Sequence, residues 1–245
     1  MTLKQLFEEH QGFRVHKLDH YLDIYDHYFS KYVDNPINFL EIGVAHGGSM
    51  ELWKKFFHKE STFYGLDIIE ECKQFERDNI KIYIGSQGSA PFLKKLSNEL
   101  PPLDIILDDG GHFAKYQIIT FNHLWPKLKF GGLYICEDLH TSYWYSFGGG
   151  FKRKNSFIEF TKNLIDDIHA WHSKQPKKFK ITEFTKEIKA IHFYDSIVII
   201  EKAVIERPTD TIKGENQVPE PKNIRLPFIR RIFNKIDKTV KGFKD

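Results

Sequence analysis

Residues 38–49 read NFLEIGVAHGGS, Asn38 to Ser49: an apolar, β-prone run carrying Glu41 that turns through Gly43, Gly47 and Gly48 into a helix start capped near Ser49. A strand closing on glycines and opening a helix is the first unit of an open α/β sheet, whose ligand crevice lies at the carboxyl ends of its strands. Glycines there let a ligand approach the backbone. A dinucleotide turn needs G-x-G-x-x-G to seat a pyrophosphate, and Val44-Ala45-His46 interrupts that pattern, so a phosphate-free ligand fits better. The interruption also argues against one competing reading, an NAD(P)-dependent reductase on the same sheet. A non-catalytic nucleotide-binding scaffold is the other alternative.

Outward from this turn, β-prone runs alternate with amphipathic helical ones. Strands are predicted near 37–43, 61–67, 79–84, 103–108, 131–136, 188–194 and 196–202, with helices at about 48–58, 69–76, 89–99, 114–128 and 155–172. This alternation gives a Rossmann-like α/β fold, a seven-stranded, mostly parallel sheet with helices on both faces. IKAIHFY and SIVIIEK are too close for a crossover and must pair as a C-terminal antiparallel hairpin. Before Pro36, the spacing of Tyr21, Ile24, Tyr25, Tyr28 and Phe29 predicts one helix with an apolar-aromatic face. Three parts follow: a helical segment over 1–35, the α/β domain over 36–205, and a linker with a basic amphipathic tail over 206–245.

The strand ends carry the chemistry. Asp67 closes FYGLD, where a carboxylate can accept both hydroxyls of a ribose. Glu41 can organise the glycine loop or face a ligand's amino group, and Gln87 in GSQGS is the candidate adenine contact. ILDDGGH (106–112) and YICEDLH (134–140) place paired acids at neighbouring strand ends. Carboxylates gathered in one crevice call for a hard divalent cation, and Asp109, Glu137 and Asp138 are the candidate Mg²⁺ ligands. Asp109 also borders the cofactor, and Asp108 is the member of its pair expected to face it. His112, three residues beyond Asp109 across two glycines, is placed to act as a base. Tyr143 and Trp144, ahead of Gly148-Gly149-Gly150, are candidate substrate contacts on a loop able to close.

The bulk numbers bound the rest. A 245-residue chain with 41% hydrophobic and 15% aromatic residues can bury one sizeable core. A formal charge of +3 is too small to indicate nucleic acid, and its basic excess lies after Glu220. Two cysteines and no apolar leader point to the cytoplasm. From Leu226 the apolar residues fall on one helical face ringed by Arg and Lys. Peripheral contact with an anionic membrane and docking on protein, including a second copy in a homo-oligomer, are both open for that tail.

LEIGVAHGGSMELW, YGLDI, LDDGGH, GGLYICEDLHTSYW, FGGG and HFYDSIVI, in this order from about Tyr21 to Lys202, resemble the metal-dependent O-methyltransferases acting on deoxysugars of macrolide antibiotics, the mycinamicin and macrocin type, and their cephalosporin-hydroxylase-like relatives. The resemblance implies a class I methyltransferase fold using S-adenosyl-L-methionine and Mg²⁺. It implies that Asp109, Glu137 and Asp138 hold the metal while His112 is the general base in methyl transfer to a hydroxyl of a sugar or glycosylated small molecule. Two features depart from the family: a large N-terminal region is replaced by about 35 residues, and GSQGS lacks the acids many relatives carry there.

Overall fold

The computed structural model describes residues 1–215 together with Gln217 and Val218; the basic amphipathic tail expected from Leu226 lies outside the described residues. The strands are β1 (Asn38–Ile42), β2 (Thr62–Asp67), β3 (Ile80–Ile84), β4 (Leu103–Asp108), β5 (Leu128–Cys136), β6 (Ile188–Tyr194) and β7 (Ile197–Lys202). The helices are α1 (Leu3–Glu8), α2 (Asp19–Phe29), α3 (Gly48–Phe56), α4 (Ala90–Glu99), α5 (Ala114–Leu124), α6 (Phe157–His169) and α7 (Glu183–Glu187).

The strands form one seven-stranded sheet in the order β3-β2-β1-β4-β5-β7-β6. β1 pairs in parallel with both β2 and β4, so the strand order reverses beside β1 and opens the crevice where open α/β sheets bind ligands. β7 runs antiparallel to β5 and to β6, the reversed strand of the class I methyltransferase outline. Both faces are covered, as the nearly continuous apolar strands require. Alternation sends Phe39, Ile105, Ile197 and Ile199 into one core with α1, α2 and α3, and Leu40, Ile106, Val198 and Ile200 into the other with α4, α5 and α6.

The N-terminal helices are part of the first core rather than an appendage. Tyr25 and Phe29 of α2 stack on each other, and both meet Trp53 edge-on. Three helical expectations end differently. Residues 70–75 form a 3₁₀ helix, and α5 stops at Leu124, where Pro126 forces a 3₁₀ turn over Trp125–Lys127. The helix expected from 155 starts at Phe157, because the Ser156 hydroxyl caps the Glu159 amide. Helices α1 and α7, six and five residues long, go unseen in the sequence; capping boxes at Thr2 and Thr182 start them. No described helix is long and apolar enough to cross a membrane.

Candidate functional site

A cavity of about 770 Å³ opens at the carboxyl ends of β1, β2 and β4. One wall is the glycine turn. Gly43 has φ +93°, and a Cβ there would stand 2.0 Å from the Asp109 carbonyl oxygen, so only glycine fits between the two strand ends. Asp67 holds the turn in shape: one carboxylate oxygen accepts from the Val44 and Ala45 amides, both at 2.9 Å, and the other from Ile69. Glu41 lies beneath, fully buried, accepting a hydrogen bond from the Ser49 hydroxyl at 2.8 Å. Burial pushes the Glu41 carboxyl up to about 7, against the pull of the Lys17 ammonium.

The first acid pair divides, whereas Glu137 and Asp138 both line the cavity. Successive side chains at a strand end point to opposite faces. Asp108 turns away from the cavity and is wholly enclosed, accepting from Gln87 Nε2 at 3.0 Å and from the Tyr134 hydroxyl at 3.2 Å. Gln87, itself buried, takes the Gly111 amide on its oxygen at 2.6 Å. Gln87 borders the cavity, but its amide group braces the 108–112 turn. Asp108, expected to face a cofactor, is part of that brace instead.

Asp109 turns to the other side and meets Lys17, whose Nζ lies 2.5 Å from Asp109 Oδ2 and 2.9 and 3.1 Å from the two Glu137 oxygens. The Tyr25 hydroxyl donates to Glu137 as well. Burial, followed by the Asp109 charge, pushes the Glu137 carboxyl up to about 8. Lys17 is buried to 7% exposure; burial alone would lower its pKa, but Asp109, Glu137 and Glu41 together raise it. Asp138 has a left-handed backbone, φ +53°; its amide donates to the Tyr21 hydroxyl, which lies 2.9 Å from the Ser196 carbonyl oxygen.

His112 is also left-handed, φ +56°, and its Nε2 stands 3.6 Å from Asp138 Oδ2. Its Nδ1 is buried without a hydrogen-bond partner. Two non-glycine residues held at positive φ side by side at a cavity store strain of the kind found at working sites. One ligand atom from each of Asp109, His112 and Asp138 lies within 4.8 Å of the others. The two carboxylates fit a small hard divalent cation, with the imidazole beside them placed to take a proton.

Of the other expected residues, Gly43, Ser49 and Asp67 line the cavity, and Gly47 caps α3 with φ +77°. Tyr143 and Trp144 are half-exposed and stand outside it; the Trp144 ring lies 4.9 Å from His140, which does line it. Lys17, Tyr21 and Tyr25 went unseen as site residues. The two tyrosines, read as part of an apolar helix face, carry hydroxyls spaced i, i+4, and that spacing was the available signal.

No protein-family model matches the chain. It is similar to the demethylmacrocin O-methyltransferase of Streptomyces fradiae, 32% identical over 190 residues, 74% of this chain and 48% of that protein. It is similar also to the 8-demethyl-8-alpha-L-rhamnosyl tetracenomycin-C 2'-O-methyltransferase of Streptomyces olivaceus, 30% identical over 192 residues, 74% and 50% of the two chains. The chain spans about half the length of the curated relatives it matches. Among solved structures it superposes on the MycE methyltransferase from the mycinamycin biosynthetic pathway, in complex with Mg and SAH, with a TM-score of 0.76 at 29% identity, covering 83% of this chain and 55% of that one.

Proposed function

Because this chain is a homologue of these sugar O-methyltransferases and shares their class I methyltransferase fold, we propose that it methylates a hydroxyl of a sugar or glycosylated small molecule, using S-adenosylmethionine and Mg²⁺. The observation that carries this reading is the meeting of Asp109, His112 and Asp138 at the mouth of the glycine-turn cavity. The turn from Gly43 to Gly48, with Asp67 behind it, would hold the donor; Asp109 and Asp138, with Glu137, would hold the ion. When bound, the donor supplies an electrophilic methyl and the ion supplies Lewis acidity toward the acceptor hydroxyl.

The residues of the chain do the rest. His112 takes the hydroxyl proton on Nε2, since Nδ1 is buried, and the Asp138 carboxylate at 3.6 Å stabilises the resulting imidazolium. Asp67 fixes the shape of the turn, so that a donor would meet preformed backbone there. Trp144, against His140 of the cavity wall, and the exposed Tyr143 next to it in sequence offer flat faces for a sugar ring or its aglycone. The reaction belongs in the cytoplasm, in keeping with two free, buried thiols, Cys72 and Cys136.

The test is calorimetry with S-adenosylhomocysteine, followed by methyl transfer to rhamnosylated and deoxysugar-bearing acceptors with Mg²⁺ and with chelator. Donor-product binding and transfer that stops on chelation and returns with Mg²⁺ are the expected results. A chain that binds no S-adenosylhomocysteine, or methylates equally well in chelator, would defeat the proposal.

A further inference from the structure

We propose that Lys17 and a divalent cation are alternative occupants of the carboxylate cluster, so that the ion binds by displacing the Lys17 ammonium and loosening the segment that carries it. The inference rests on the methyltransferase reading for the identity of the metal site.

Lys17 Nζ sits among oxygens a hard ion would need: Asp109 Oδ2 at 2.5 Å, Glu137 at 2.9 and 3.1 Å, and Glu41 Oε1 at 3.9 Å. An ion taking Asp109 and Glu137 at normal coordination distances would press against the ammonium, and two buried cations repel strongly where water is scarce. Charge argues that the cluster has room for more than one positive unit. Three carboxylates, Glu41, Asp109 and Glu137, face a single ammonium, and Glu41 Oε1 is buried with no hydrogen-bond partner.

The backbone around Lys17 is built to yield. Residues 14–18 form no helix or strand, and none from Arg14 to Lys17 donates a backbone hydrogen bond to a described residue. The segment is pinned at its two ends. At one end the Phe13 amide donates to Glu51 and the Phe13 ring lies 5.2 Å from Phe75; at the other, α2 begins. Between the pins, the Lys17 ammonium is the polar tether, beside Val15 and Leu18, whose side chains pack on the first core. The span also lies against the donor turn, since a Cβ on Gly48 would stand 2.3 Å from the Phe13 carbonyl oxygen and 2.5 Å from that of Arg14. Lys17 is thus a positioning residue that links the state of the metal site to the wall of the donor cavity.

The full chain and two variants, Lys17→Met and Lys17→Arg, are titrated with Mn²⁺ and followed by electron paramagnetic resonance of the free ion. Methionine keeps the length of the stem without its charge, so Lys17→Met should bind Mn²⁺ about tenfold tighter or more, and Lys17→Arg close to the unaltered chain. In the unaltered chain Mn²⁺ should also speed trypsin cleavage after Lys17 relative to cleavage at exposed lysines, read by mass spectrometry. Equal or weaker Mn²⁺ binding by Lys17→Met, or cleavage after Lys17 that ignores Mn²⁺, overturns the proposal. If Lys17→Met does not fold, the cleavage pattern decides alone. Mn²⁺ binding that obeys these expectations in a chain without methyl transfer would overturn the functional reading and leave this one standing; no Mn²⁺ binding by any of the three would overturn both.

Discussion

His112 can be replaced without disturbing the donor side of the cavity, because its contacts run to Asp138 and not to the glycine turn. His112→Ala should therefore lower the methyl-transfer rate by about 10²-fold or more while S-adenosylhomocysteine affinity by calorimetry stays unchanged. Asp67 is the opposite case. Its carboxylate gathers three backbone amides at 2.9 Å, so Asp67→Ala frees the Val44, Ala45 and Ile69 N–H groups and the turn loses its shape. The expected outcome is weaker S-adenosylhomocysteine binding together with a stability loss of roughly 1–3 kcal/mol in denaturant titration.

Helix α2 is latched to the far edge of the sheet at Tyr21, His20 and Tyr28, whose hydroxyl meets that of Tyr194. Tyr21 meets the Asp138 amide and the carbonyl oxygen of Ser196, in the two-residue turn between β6 and β7, whose Asp195 carbonyl also meets His20. Tyr21→Phe should cost about 1–2 kcal/mol by denaturant midpoint, and it should slow transfer because Asp138 loses its support. The strands were legible as near-continuous apolar runs between glycines and prolines, and the antiparallel end followed from a connection too short to cross over. The latch was not legible, since α2 and the residues it reaches lie more than a hundred positions apart: 117 from Tyr21 to Asp138 and 112 from Tyr25 to Glu137. The acid pairs were half legible. Their place at the strand ends could be read, but alternation at the first of those ends decided which acid faces the cavity, and it turned Asp108 inward toward Tyr134.

The whole molecule carries its acids at a cost that depends on pH. Burial lifts Asp108 from its ordinary 3.8 to about 6, so the folded chain holds a proton that the unfolded chain has released. A carboxyl raised in this way lends stability below its unfolded pKa and loses it as pH climbs through the folded value. Between about pH 4 and 7 the unaltered chain should therefore lose thermal stability relative to Asp108→Asn, by differential scanning fluorimetry; parallel curves would contradict this. Glu41, lifted to about 7, adds to the same slope. The stack that fastens α2 to the sheet has an optical consequence. Trp53, buried to 1% exposure, sits edge-on to Tyr25, whose hydroxyl ends on Glu137, so an indole in the core is one aromatic ring away from the acids at the crevice. An event that moves Glu137 would carry the Tyr25 ring with it against that indole, so Trp53 emission is the expected optical readout of the acid cluster.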